Sequence, residues 1–159
     1  MPMNTSNIIL KRRSREFTMS TYQAYVFAIK EQVAQHLAGL DELACTIQKR
    51  PLTFNERSAV ERNLQVLIEA AIGCSKHYLK KISKPVPSEA RASIERIYEQ
   101  LAITTPEINE MRGAIGMRNA IIHDYLNLDW KKLEAVLAKQ KYYNVKDYIS
   151  LLCSALLSE

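Results

Sequence analysis

From Thr21 onward, apolar residues recur at steps of three and four: Tyr22, Val26, Ile29, Val33, Leu37, Leu40, Ala44 and Ile47. At 3.6 residues per turn such positions share one side of a helix. The spacing predicts a long amphipathic helix starting at Ser20 or Thr21 and ending before Pro51, because proline disfavours helical backbone in the residue before it. A second long helix is expected from near Asn55 to before Pro85, with Val60, Leu64, Leu67, Ala71, Cys74 and Tyr78 on one stripe. Ser88 is placed to cap a third, shorter helix carrying Ile94, Ile97 and Leu101. Thr105-Pro106-Glu107 reads as the start of a fourth: a capping hydroxyl, proline in the first turn, then an acid near the positive end of the helix dipole. Two further helical stretches close the chain, near Asp129–Lys139 and Val145–Leu157. The pattern predicts an all-α protein, an antiparallel bundle of five to six helices.

Composition narrows this picture. At 159 residues with 47% hydrophobic content, the chain fits one domain able to bury a real core. Four glycines and five prolines, the latter lying between periodic stretches, argue against a turn-rich β fold. No apolar run approaches the roughly 18–20 residues that span a bilayer, and the N-terminal region has no signal-peptide core. Cys45, Cys74 and Cys153 are dispersed, which argues against a disulfide framework or a zinc site and for packed, reduced thiols in a cytoplasmic protein. His36 on its helix flank reads as solvated, and His77 as a residue favouring the negative end of its helix; neither pairs with another metal ligand.

The net charge is +5. Lys11, Arg12, Arg13 and Arg15 against Glu16 supply three of those charges within residues 1–20. That segment has no sustained periodicity and is expected as a disordered basic arm, either an RNA-contacting segment or an extension from an upstream start site. The helical domain, residues 21–159, carries the remaining +2, so charge permits nucleic-acid binding without demanding it.

One segment departs from plain amphipathic design. On an ideal wheel, Ile108, Met111, Ala114, Ile115, Ile121, Ile122 and Tyr125 share a broad arc with Arg118 near its middle. A guanidinium there must be paired or wet, since burial strips its hydration. Either it reaches a carboxylate such as Glu110 or Asp124, or the arc ends in a wet groove. Asn109, Gly113 and Gly116 line the opposite side, with Asn119 and His123 on a stripe of their own. Two helical glycines cost roughly 1 kcal/mol each relative to alanine and make sense if another backbone or a ligand comes close.

The run Gly116-Met117-Arg118-Asn119 followed by His123-Asp124-Tyr125 resembles the signature of HepT-like toxins of the HEPN superfamily, in which R-x-x-x-x-H-x-Y defines the toxin. The resemblance extends from about Tyr22 to Leu157. It takes in Glu61-Arg62-Asn63-Leu64-Gln65 through Glu69-Ala70-Ala71, His77, and the Pro87–Ile103 stretch that precedes the motif helix. Two departures stand out: Ala90-Arg91 keeps only the arginine of a Tyr-Arg pair common in the family, and Leu126 stands where a tryptophan often follows the motif tyrosine.

The resemblance implies the toxin of a type II/VII-like toxin–antitoxin pair, an endoribonuclease that uses no metal or cofactor. The RNA 2′-OH would attack its own phosphate. His123 would act as general acid/base, because an imidazole exchanges protons near neutral pH. Arg118 would stabilise charge growing on the phosphorane, and Asn119 would orient His123 or a phosphate oxygen. Implied partners are RNA, a second copy of the chain through the motif helix, and an MntA-type minimal nucleotidyltransferase antitoxin that transfers AMP to Tyr125. Wheel angles put Arg118 and Tyr125 on one stripe and His123 about 100° away, so the site is expected to be shared across a dimer. The alternative is a non-catalytic HEPN subunit assisting a nucleotidyltransferase.

Overall fold

The computed structural model describes the backbone of residues 5–158 and the side chains of residues 21–158. Six helices follow in order: α1 (Thr5–Ile47), α2 (Phe54–Lys81), α3 (Ala90–Leu101), α4 (Ile108–His123), α5 (Trp130–Ala138) and α6 (Tyr142–Leu157). A 3-10 turn, Tyr125–Asn127, links α4 to α5. Among the described residues there is no strand, as the periodicity predicts. No described helix is long and apolar enough to cross a membrane. Helix α1 reaches back into the segment expected as a basic arm. That segment's side chains lie outside the described residues.

Helix α2 organises the rest. Its first turn is closed by a capping box: Glu56 N–H donates to Thr53 Oγ1 (3.2 Å) and Thr53 N–H donates to Glu56 Oε1 (2.9 Å). Arg50 adds a bidentate grip on the same carboxylate, at 2.7 and 2.9 Å. These bonds, Arg50 foremost, hold the Glu56 carboxyl down at about 2. Beyond the cap, Val66, Ile68, Ala70 and Ile72 are buried as well as the expected stripe of Val60, Leu64, Leu67, Ala71 and Cys74. From Leu64 to Ser75 only Glu69 is exposed, so the middle of the helix lies inside, and α2 packs against every other helix. Fully buried leucines such as Leu40, Leu64 and Leu67 each contribute about 1.5–3 kcal/mol by leaving water.

Side-chain contacts fix the directions. Tyr25 meets Cys74 and His77, while His36 Nδ1 shares a 2.7 Å hydrogen bond with Asn63 Oδ1, so α1 and α2 run antiparallel. Ser75 meets Tyr148, and Lys81 Nζ donates to the carbonyls of Ala155 (3.1 Å), Leu156 (2.9 Å) and Ser158. Helix α6 is therefore parallel to α2, whereas α1 and α2, and likewise α3 and α4 (Glu95 meets Arg112, and Tyr98 meets Pro106), are antiparallel as expected. Three intervening helices make the parallel return possible. Lys81 also supplies the cation that the negative end of α6 favours.

Several local expectations shift. Ser88 does not cap α3; Glu89 precedes it without a side-chain cap, and Ser93 Oγ donates instead to the carbonyls of Pro87 and Glu89. Helix α4 begins at Ile108, after a cis Thr105–Pro106 bond, with Tyr98 Oη donating to the Pro106 carbonyl (2.7 Å). That carbonyl is thereby used in a turn rather than in the helix. His36 is half-buried and bonded rather than solvated, and Cys45 is exposed rather than packed.

Candidate active site

Helix α4 packs through Met111, Ile115 and Ile121, which are buried. On the other side, a Cβ built on Gly113 or Gly116 would meet nothing within 4 Å. Among the described residues no backbone of this chain comes close there, so a close approach falls to a second chain or a ligand. A cavity of about 170 Å³ lies on the Gly113 side of α4, walled by Leu64, Ile68, Ala114, Met117 and Tyr142. Neither Arg118 nor His123 lines it.

Arg118 is resolved by a carboxylate that sequence reasoning did not name. Its Nε lies 3.0 Å from Glu69 Oε1 on α2, and Nη1 donates to Asn119 Oδ1 at 2.6 Å. Neither suggested acid is the partner: Glu110 accepts from Asn144 (3.3 Å) and Asp124 from Asn127 (3.0 Å). The Arg118 side chain is 14% exposed and that of Glu69 45%. The Nε–H is buried, yet it makes no aligned hydrogen bond despite the short distance to Glu69. The distance records an attraction between charges; the angle leaves a donor unspent. Of the five N–H donors of a guanidinium, only Nη1–H has found a well-aligned acceptor. Glu69 was legible in one respect: it is the lone charge between Val66-Leu67-Ile68 and Ala70-Ala71-Ile72.

His123 is the last residue of α4 and is exposed. Asp124, at φ −139° and ψ 38°, leaves helical geometry while its N–H still donates to the Ala120 carbonyl. Tyr125 then opens the 3-10 turn with 68% exposure. The wheel therefore stops before Tyr125, and the expected stripe shared with Arg118 does not exist. The structure joins Arg118 to Asn119, and no hydrogen bond or ion pair among the described residues links His123 to Arg118, Asn119 or Tyr125. Further on, Trp130 is half-buried with the Arg57 guanidinium 4.8 Å from its ring centre. Tyr125, Leu126 and Asn127 thus form a short exposed arch between two anchored helices. Leu126, which stands in place of a frequent tryptophan, lies on that arch, whereas Ala90 packs half-buried against the core.

His77 is exposed, with its ring 4.1 Å from that of Tyr25. Among the described residues no three His, Cys, Asp or Glu side chains converge as a metal site.

A family model described as ribonuclease HepT-like matches residues 33–151. Over 78 residues the chain is 32% identical to the mRNA nuclease HepT of Shewanella oneidensis, covering 48% of this chain and 59% of that protein. The match thus spans about three fifths of the curated relative's length. Two solved structures share the fold at 18% identity. One is a toxin–antitoxin with AMP-PNP, with a TM-score of 0.68 over 80% of this chain and 96% of that one. The other is the tri-AMPylated Shewanella oneidensis HEPN toxin in complex with MNT antitoxin, with a TM-score of 0.69 over 81% and 96%.

Proposed function

The chain belongs to the HepT-like family, and from that premise we propose that it is the toxin of a toxin–antitoxin pair, an endoribonuclease that cuts RNA without a metal ion. The observation that carries this reading is the open end of α4. There a half-neutralised Arg118 with an unspent buried donor is followed, five residues on, by an exposed His123. A phosphate needs charge-assisted donors, and a proton transfer needs an accessible imidazole.

In the reaction, His123 takes the proton of the ribose 2′-OH as its oxygen bonds to phosphorus. The bond to the 5′-oxygen breaks, that oxygen is protonated, and a cyclic phosphate remains. Arg118 meets the charge on the phosphorane oxygens, with Asn119 Oδ1 holding its Nη1 in place. Residues 118 and 123 are separated by about 7.5 Å along the helix axis, so one helix gives a loose site. A second copy packed on α4 supplies the missing half, and the open space at Gly113 and Gly116 favours such an approach. Size-exclusion chromatography with light scattering is expected to give a dimer, and a monomer that cleaves RNA at the same rate contradicts the shared site.

Control falls to Tyr125, whose exposure on the arch suits an acceptor. Its hydroxyl oxygen attacks the α-phosphorus of ATP bound to an MntA-type nucleotidyltransferase antitoxin, and pyrophosphate leaves. The added phosphate and nucleoside then stand at the open end of α4 and block RNA. The experiment is co-incubation with the antitoxin and ATP. Intact mass is expected to rise by AMP, Tyr125→Phe to remove that first addition, and RNA cleavage to fall with modification. Cleavage that survives stoichiometric AMP addition on Tyr125 would defeat the switch.

A further inference from the structure

The cavity beside α4 has no part in the cleavage chemistry derived above. At about 170 Å³ it is smaller than the roughly 300–1,000 Å³ of pockets that take drug-sized ligands, and it suits a flat system of one or two rings. Leu64, Ile68 and Val145 give it apolar walls, while Glu110, Lys141 and Asn144 are the polar members of the lining. Asn144 Nδ2 donates to Glu110 Oε2 at 3.3 Å, which holds the carboxylate between α4 and α6. Among the described residues Glu110 Oε1 has no partner. Gly113 stands in the same lining, and a Cβ there would meet nothing within 4 Å. A glycine inside a helix costs stability relative to alanine, and no neighbouring atom of the described chain requires this one. A ligand seated against α4 at that point accounts for it.

We infer that this cavity is a nucleobase pocket holding a guanine of the RNA one or two nucleotides from the cut; the inference rests on the ribonuclease reading above. Apolar walls suit the faces of a base, and single-stranded RNA splays its bases out for such recognition. The carboxylate selects among them. Its oxygens only accept, and guanine alone offers two adjacent donors on its Watson–Crick edge, N1–H and the 2-amino group. Adenine and cytosine set an acceptor beside their amino donor, and uracil sets its N–H between two carbonyls, so each turns a lone pair toward the carboxylate. Lys141 supplies the donor that guanine O6 needs. Position follows from the helix. Gly113 lies about 15 Å along the axis from His123, and the two fall within about 80° of each other on the wheel. Gly116 lies between them with open space beside it. A strand running along this side of α4 passes Gly116 and turns a base in at Gly113. That separation is too long for the nucleotide that is cut and within reach of a near neighbour.

Two assays on the full chain separate the pocket from the chemistry. In the first, guanosine and adenosine monophosphates are titrated while the methyl signal of Met117, which lines the wall, reports occupancy. The guanine nucleotide is expected to move that signal at about tenfold lower concentration, and Glu110→Gln to abolish the difference. In the second, RNA of random sequence is cleaved and the products are sequenced. Guanine is expected at one fixed position, one or two from the cut. Inosine there, which lacks the 2-amino group, is expected to lower kcat/KM about tenfold, chiefly through KM. Gly113→Leu fills the cavity from open space and is expected to remove the preference while cleavage and the dimer remain. Equal response to the two nucleotides, or a guanine preference that survives both substitutions, overturns the inference. If Gly113→Leu disturbs the dimer, Glu110→Gln decides alone, because that side chain is exposed. RNA cut without a base preference removes the pocket and leaves the ribonuclease reading standing. Selective binding of the guanine nucleotide by a protein that cuts no RNA does the reverse.

Discussion

Two polar clusters stand six residues apart on α2. Ser75 is wholly buried; its hydroxyl donates to the Ala71 carbonyl (2.8 Å) and meets Tyr148 Oη (2.5 Å). With its one proton used on Ala71, Ser75 accepts from Tyr148, and both hydroxyls are satisfied. Burial pushes the Tyr148 hydroxyl's pKa upward, so it stays neutral. Glu69 faces the other way, toward α4 and solvent. Its Arg118 partner has a charge nearby but a buried N–H without an aligned acceptor. One cluster has no bonding capacity left and serves the core. The other is incompletely bonded, which is the feature the proposed phosphate contact draws on.

That contrast breaks most visibly at the open cluster. His123→Ala is expected to lower RNA cleavage about 10²–10⁴-fold while the thermal midpoint stays within a degree or two of wild type, because the side chain is exposed. Cleavage rates beside a melting curve check it, and full activity in a folded variant removes His123 from the chemistry. Ser75→Ala should do the reverse. It leaves the buried Tyr148 hydroxyl without its acceptor, at about 1–3 kcal/mol, and lowers the midpoint without changing cleavage per folded molecule. Denaturant titration measures the loss; a neutral result would mean that water or another acceptor takes the hydroxyl.

Smaller effects sharpen the comparison. Glu69→Gln keeps an acceptor beside the buried Arg118 and removes only the half-exposed carboxylate charge, so it is expected to cost stability about 1 kcal/mol at most and to change the affinity for RNA more than the folding midpoint. A stability loss as large as that of Ser75→Ala would make the pair structural. The smallest concerns pH. Glu56 is depressed from the ordinary carboxylate range to about 2 by Arg50 and the cap. Its contribution is therefore fully present above about pH 4.5 and lost as pH falls toward 2. Glu56→Gln keeps the box but removes the charge. Its midpoint should lie below wild type at pH 6 and converge on it near pH 2; a gap independent of pH would rule out the carboxylate charge.

The apolar period carried the helices, because spacing by three and four survives whatever packs on it. Boundaries were less legible. Thr53 and Glu56 spell a capping box in sequence, but Ser88 offered an equally good hydroxyl that the fold does not use. Ser93 satisfies the nearby carbonyls from inside α3 instead. The parallel return of α6 along α2 could not be read, since direction depends on how three intervening helices fold back. At the site, Arg118 on an apolar arc correctly demanded a partner. Its identity was long-range, 49 residues away on another helix. The wheel also misplaced Tyr125, because nothing in Asp124-Tyr125 announces that the helix ends at His123.

The open cluster on α4 is proposed to cut RNA by its own side chains. It is tested most directly by comparing, in EDTA, an RNA that the protein cleaves with the same RNA carrying 2′-deoxyribose at the cleaved position. The first RNA is expected to be cleaved to a cyclic phosphate end and the second to stay intact. Cleavage that requires a divalent ion, or that proceeds equally at the 2′-deoxy position, would contradict it.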